Sequence, residues 1–362
     1  MATGNARLVF GGSGSGPANS SGSGSPPASA GSLAGAGAGA GIETGRAGGG
    51  LGGLGGLCEQ GWVALRAFAL GLSVVLIAPL RLTGGADEED SGASGPRTVA
   101  KYYYWPYLAA GHIVLVHCAL FVAYRLQHTR RGYLPTSTTN YPVAWRAGML
   151  GSACGASILT ACLGSRSITS FALYGIILSM FHFTEYLSIA YISPKNLNLN
   201  SFLLNHSKEY HIAMILSWFE YFAEFYFYPE LKSLTVVTWT GWSLCLTGEV
   251  LRKAAMLTAG SNFHHLVRVK RDEDHRLVTT GVYAICRHPS YAGWFLWSVG
   301  TQLVLVNPLC LVGYTMVTWM FFRERVEEEE ITLLEFFGEE YAAYQKQVAT
   351  GLPFIKGFKM EL

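Results

Sequence analysis

Apolar runs near or above the roughly 20 residues that carry a helix across a bilayer recur along this chain, and no other feature restricts its fold as strongly. Eight segments qualify: residues 62–82, 105–124, 143–163, 168–192, 211–228, 234–251, 291–306 and 308–322. A single water-soluble core has no use for so many. Half of the 362 residues are hydrophobic and only 14% are charged, which places the chain among membrane proteins. The expected fold class is an all-α integral membrane protein of about eight transmembrane helices. The last two are expected to form a helical hairpin, because Asn307-Pro308 interrupts a long apolar run, and proline starts a helix well but cannot continue the one before it.

The ends and loops complete the organisation. Residues 1–60 are dominated by Gly, Ser and Ala with almost no aromatics, too little apolar surface to offset the entropy of ordering, so a disordered tail is expected. Gly12, Gly14 and Gly16 have neither a strand pattern before them nor a helix pattern after them, so they do not read as a phosphate loop. The first apolar run starts too late for a cleavable signal peptide. Residues 61–165 then hold the N-terminal spans and 166–362 a second half. The net charge of +2, with basic residues confined to short loops, argues against nucleic acid as a partner. Seven cysteines without CxxC spacing suggest neither a disulfide framework nor a metal site. Arg125, Arg130, Arg131 and Arg146 flank one loop, and Arg252, Lys253, Arg268, Lys270, Arg271, Arg276 and Arg287 crowd another on the same side of an eight-span path. Lys and Arg near span ends favour the cytosol, which puts both termini there, although Arg81, Arg97 and Lys101 fall on the other side. The sequon Asn205-His206-Ser207 is then cytosolic and unmodified, and Lys359-Met360-Glu361-Leu362 cannot act as a lumenal retrieval signal.

Two stretches carry chemistry. Arg287-His288-Pro289-Ser290-Tyr291 opens the seventh span, with Pro289 in the first turn, Ser290 as a possible cap and free backbone donors suited to an anion. A basic cap touching lipid headgroups is the plainer alternative. Arg323-Glu324-Arg325-Val326-Glu327-Glu328-Glu329-Glu330 continues the eighth span, and a helix would place Arg325 and Glu329 on one face. Four consecutive glutamates usually mean a solvated face and an ordinary surface ion pair. A hairpin of the last two spans would instead bring this pair beside the Arg287 turn. His264 and His265 have no Cys or acidic partner at ligand spacing, so surface histidines are expected there and no metal.

Taken in order, several motifs together resemble the isoprenylcysteine carboxyl methyltransferases. They are Phe181-His182-Phe183-Thr184-Glu185-Tyr186, Ser201-Phe202-Leu203-Leu204-Asn205-His206-Ser207, Arg252-Lys253-Ala254-Ala255-Met256, Ala259-Gly260-Ser261-Asn262-Phe263, the Arg287-to-Tyr291 turn, the glutamate run and Thr350-Gly351-Leu352-Pro353-Phe354-Ile355-Lys356-Gly357. The resemblance extends from about Ile168 to the C-terminus. It implies a methyltransferase core over 166–362 with S-adenosylmethionine in a cytosolic pocket of the last spans. The implied cofactor contacts are Arg268, His275, Arg276, Leu277, Val278, Tyr283, His288, Pro289, Ser290, Tyr291 and Glu329, with Arg325 on the substrate carboxylate and Arg325 and Glu329 as the catalytic pair. The family usually carries glutamine where this chain has Arg268, whose guanidinium could pair with a cofactor carboxylate but would repel a sulfonium. Implied substrates are farnesylated or geranylgeranylated CaaX proteins reached through the lipid bilayer, and the implied location is the endoplasmic reticulum membrane. An NADPH-dependent membrane sterol reductase, which would share the arginine-histidine-proline turn, and a non-catalytic membrane scaffold are the competing expectations. The first leaves the Arg325 and Glu329 helix unexplained, the second the whole polar loop.

Overall fold

A computed structural model describes residues 56–78, 105–131, 135–205, 207–265 and 275–358, apart from the side chains of 127–139 and 166. The tail through residue 55, Arg81, Arg97, Lys101, His206 of the sequon, Arg268, Lys270, Arg271 and residues 359–362 lie outside the described residues. Secondary structure among the described residues is helical: α1 (Glu59–Leu72, continued by a 3-10 turn over Ser73–Ile77), α2 (Trp105–Arg131), α3 (Pro135–Leu163), α4 (Arg166–Ile192), α5 (Lys208–Phe227), α6 (Thr235–Ala259), α7 (Pro289–Leu305), α8 (Pro308–Phe337) and α9 (Glu339–Gln347). Within the described residues, each expected span falls on one of α1 to α8. Glu59 and Gln60, expected in the tail, already belong to α1.

Among the described residues, four helical segments are long and apolar enough to cross a bilayer by length and composition: Glu59–Ile77, Trp105–Leu126, Asn140–Leu163 and Ser167–Ile192. Helices α5 to α8 fall short of that measure for a physical reason. They are short, as α7 is with 17 residues, or they carry Glu220, Glu224, Arg252, Lys253 and the glutamate run. Those charged groups are what the interior of this half is built around.

Glycine sets how closely α6 and α7 approach. A Cβ on Gly248 would lie 2.4 Å from the Gly293 carbonyl oxygen, and one on Gly293 would lie 2.5 Å from the Gly248 oxygen and 2.8 Å from the Arg252 amide. Helices in lipid gain little from apolar burial against each other, so small residues that let backbones touch provide the packing. One turn beyond Gly248, the same contact delivers Arg252 onto the first turn of α7.

Buried charges fasten the far end of α7. Lys232 Nζ donates to the carbonyls of Leu305 (3.0 Å) and Val306 (2.9 Å), to Asn307 Oδ1 (3.0 Å) and to Glu224 Oε2 (2.6 Å). Glu220 accepts from the Leu309 and Cys310 amides at 2.7 Å each. A cation thus meets the C-terminal carbonyls of α7 and an anion the N-terminal amides of α8, each complementing its helix dipole. Together they hold the Asn307-Pro308 hairpin, including Val306 in the left-handed region at φ 54°, which a β-branched residue adopts only under constraint.

Candidate active site

Pro289 occupies the first turn of α7, where its missing amide costs nothing and its fixed φ favours the helix. The N-cap residue is His288; its side chain does not cap, and Ser290 sits inside the helix. The Ser290 hydroxyl instead accepts from Arg252 Nη1 at 2.8 Å. Arg252, itself 2% exposed, also grips Glu185 of α4 in a two-pronged pair, Nε to Oε1 at 2.6 Å and Nη2 to Oε2 at 2.8 Å. Lys253 donates to the same carboxylate, His265 Nδ1 lies 3.8 Å from it, and the Arg252 guanidinium lies over Trp294 at 4.6 Å. Two motifs that carried only resemblance in the sequence therefore meet against the α7 turn, and His265 faces a buried acid where a surface histidine was expected.

Helix α8 continues about 22 Å past the expected span end at Phe322, at 1.5 Å per residue, and its Phe322, Val326, Glu330 and Leu334 are buried. The glutamate run is consequently split. Glu328 is 67% exposed, Glu329 31%, and Glu330 fully buried, which corrects the reading of the run as a solvated face. His288 stands between the last two: Nδ1 is 3.5 Å from Glu329 Oε2 and Nε2 is 3.0 Å from Glu330 Oε1. Burial alone would lower the imidazole pKa. The hydrogen bonds and charges of both glutamates outweigh it and lift the value to about 9. Burial conversely opposes ionisation of Glu329 and Glu330, yet His288 holds both below their ordinary value, with Tyr291 and Arg325 aiding Glu329 and Arg287 aiding Glu330.

Tyr291 stacks on His288, ring centres 5.6 Å apart and nearly parallel, and is faced by both Glu329 and Arg325. Arg325 takes Glu328 as its ion-pair partner at 3.7 Å, in place of the expected Glu329, whose carboxylate turns toward His288. The Arg325 charge still reaches Glu329. Burial, then the Glu329 charge, raise the Tyr283 pKa, which sets that side chain within reach of the group. Tyr283, His288, Pro289, Ser290, Tyr291, Arg325 and Glu329 are therefore drawn to one place. His275 packs instead against Phe336 and Phe337, at 5.7 and 5.3 Å, further along α8, and Leu277 against the cluster of Leu334 of α8 with Tyr341 and Tyr344 of α9. The Arg276 amide is fixed by Asn262 Oδ1 at 3.0 Å, and its side chain is exposed; Val278 is half-buried in the same stretch.

The C-terminal segment closes the group from below. Arg287 N donates to Ala349 O (2.8 Å) and His288 N to Thr350 O (3.0 Å). The Thr350 hydroxyl donates to Ile355 O at 2.6 Å, folding the segment back on itself. Gly351 (φ 92°) and Gly357 (φ 78°) are required there, since a Cβ would come within 2.7 Å of Cys286 Cβ at the first and 1.9 Å of Glu330 Oε2 at the second.

Fold and site together define a polytopic helical membrane protein with a buried carboxylate, imidazole and guanidinium cluster where its last hairpin leaves the membrane region. Residues 241–335 match the profile of the isoprenylcysteine carboxyl methyltransferase family. A protein-S-isoprenylcysteine O-methyltransferase of Xenopus laevis is 46% identical over 305 residues, 84% of this chain and 98% of that protein. The Mus musculus protein of the same name is 54% identical over 222 residues, 61% of this chain and 78% of its own length. A solved structure of the eukaryotic intramembrane Ras methyltransferase, an isoprenylcysteine carboxyl methyltransferase, superimposes with a TM-score of 0.71 at 39% identity, covering 84% of this chain and all of the other. The chain belongs to the isoprenylcysteine carboxyl methyltransferase family.

Proposed function

We propose that the protein methylates the C-terminal prenylcysteine carboxylate of processed CaaX proteins, farnesylated or geranylgeranylated, with S-adenosylmethionine as donor. The observation that carries this is the Glu329 carboxylate: its buried Oε2 is held only by a long 3.5 Å ion pair to His288 Nδ1, beside Tyr291 and within reach of the Arg325 charge. A carboxylate oxygen held only at that distance keeps lone-pair capacity that a ligand's donors can complete. S-adenosylmethionine fits, because it offers hydroxyl and ammonium donors and a positive sulfonium. Glu329, Tyr283 and the His288-to-Tyr291 turn would hold it, with residues 275–278 along the outer edge.

When bound, the donor supplies a methyl group on sulfonium, which a carboxylate oxygen takes as the carbon–sulfur bond breaks and a neutral thioether departs. No residue has to remove a proton, since an α-carboxyl group with a pKa of about 3.3 to 3.7 is already ionised at neutral pH. His288, clasped by two glutamates, is accordingly a fixed cation in the wall and not a base. Arg325 is suited to the substrate carboxylate. Its pair with the largely exposed Glu328 is long and weak, so the guanidinium can exchange that partner for a bidentate fork that aims one oxygen. Excluding water favours a reaction between opposite charges that leaves neutral products.

The prenyl tail explains the membrane setting, since each methylene favours lipid by about 0.8 kcal/mol and the substrate arrives already partitioned. The basic residues Arg125, Arg130 and Arg131 at the end of α2, and Arg268, Lys270 and Arg271 after α6, favour both termini and the site in the cytosol, and the family resemblance points to the endoplasmic reticulum as the membrane. The sterol reductase reading has no support among the relatives described, which are methyltransferases. The test is purified full-length protein in lipid nanodiscs with methyl-labelled S-adenosylmethionine and an S-farnesylated cysteine peptide. Base-labile label on the peptide is expected. No transfer, with NADPH consumed on a sterol, would reverse the conclusion.

A further inference from the structure

Glu330 lies one residue beyond the proposed cofactor contact, yet it cannot touch a ligand. Its Oε1 accepts from Arg287 Nε (2.8 Å), His288 Nε2 (3.0 Å) and Tyr341 Oη (3.1 Å), and its Oε2 from Gln345 Nε2 (3.0 Å) and Phe358 N (2.8 Å). It is fully buried, and the backbone of Gly357 closes over it. A carboxylate has about four lone-pair sites, so these five donors leave none for substrate or donor. The donors come from three separate segments: the α7 turn, α9 and the C-terminal strap. Arg287 extends the same tie, donating to Gln345 O (3.3 Å), Lys356 O (3.1 Å) and Val348 O.

Resting on the proposed assignment of the His288-to-Tyr291 turn to the donor, we propose that Glu330 is its positioning residue, fixing His288 and Arg287 so that Glu329 and Tyr291 meet the sulfonium donor in the right place. Glu330 orients His288 from one side while Glu329 faces it from the other. The remaining groups around the ring are Tyr291, stacked on it, and Arg287 and Tyr341, which share the Glu330 carboxylate. Glutamine is nearly isosteric but has a single acceptor oxygen, so whichever way its amide turns, an NH2 group confronts donors. The turn should then lose its fixed geometry without the loss of any group that contacts donor or substrate.

The test uses purified full-length protein and four forms, wild type, Glu330→Gln, Tyr341→Phe and Glu329→Gln, with S-adenosylmethionine affinity at pH 6, 7.5 and 9 and separate KM values for donor and farnesylcysteine peptide. Glu330→Gln is expected to weaken donor binding at least about tenfold, the size of one charged hydrogen bond, with the peptide KM within about twofold. The defect should deepen toward pH 9, where Glu329 alone keeps the proton on His288. Tyr341→Phe removes a single donor, so its fold is retained and a weakening of about threefold is expected. It decides the matter if Glu330→Gln does not fold. Donor binding like wild type at every pH in Tyr341→Phe, and in Glu330→Gln where that variant folds, would overturn the proposal; so would equal losses for donor and peptide. Glu329→Gln separates the two levels: if it alone is impaired, the site assignment stands and the positioning role falls, whereas normal donor binding by Glu329→Gln removes the cofactor assignment itself.

Discussion

Glu328, Glu329 and Glu330 are chemically identical and consecutive, yet one is solvated, one faces His288 across a long ion pair and one is sealed by five donors. The difference is helical phase: Glu330 falls four residues after Val326 and four before Leu334, on the buried stripe, and each neighbour is rotated about 100° away. This division makes residue-level outcomes specific. Arg325→Lys keeps charge but loses the planar fork, so a loss of turnover or peptide affinity of at least about tenfold is expected with donor affinity unchanged. Glu329→Gln should weaken donor binding in the absence of peptide. Activity within about threefold for both, roughly 0.7 kcal/mol of barrier, would reduce the two residues to surface charges. The same groups set a pH dependence of stability. His288 is raised from 6.5 to about 9 on folding, so its contribution is complete below pH 6.5 and fades as pH rises through 9. Glu329 and Glu330 are lowered from 4.5, so theirs is complete above that value and is lost as pH falls below it. Tm should therefore decline from pH 6.5 toward 9.5, and His288→Gln should flatten that decline; an unchanged slope would remove His288 as its source.

At the scale of elements, α6 and α7 act as one unit because glycine faces glycine. Gly248→Val would push branched carbons into the Gly293 carbonyl, and overpacking of this kind costs about 1 to 3 kcal/mol where the neighbour can yield and more where it is backbone. The expected outcome is a lower Tm in detergent together with weaker donor binding, because separating the helices draws Arg252 away from Ser290. Normal donor affinity in a folded Gly248→Val protein would show that the α7 turn is placed without α6. At the other end of α7, Lys232 and Glu220 fix the hairpin through helix termini, and this explains why charged residues persist in the half whose helices are least apolar.

At the scale of the whole molecule, the reading that both termini and the site are cytosolic puts residues 81–101 on the lumenal side and the junction between α2 and α3 on the cytosolic side. Single cysteines placed in each and labelled with an impermeant reagent in sealed vesicles should react from opposite sides, and reaction from one side would remove the eight-span path. The sequence by itself determined the class and the places of α1 to α8, though not of α9, because span length, apolar continuity and the Asn307-Pro308 break are local properties that depend on nothing distant. It also singled out Arg325, Glu329 and the His288-to-Tyr291 turn, which the fold brings together. Glu330 was within its reach too, through the spacing of Phe322, Val326 and Leu334, but a run of four like charges obscured the phase. Other facts were decided only by tertiary structure. Arg252 completes the turn from another helix, Glu185 anchors it from a third, His275 and Leu277 settle on Phe336, Phe337 and Leu334, and the strap after α9 fastens Arg287. The cause is physical: whether a charged side chain is solvated or buried against a partner depends on groups tens of residues away, and only packing brings those groups within hydrogen-bonding distance.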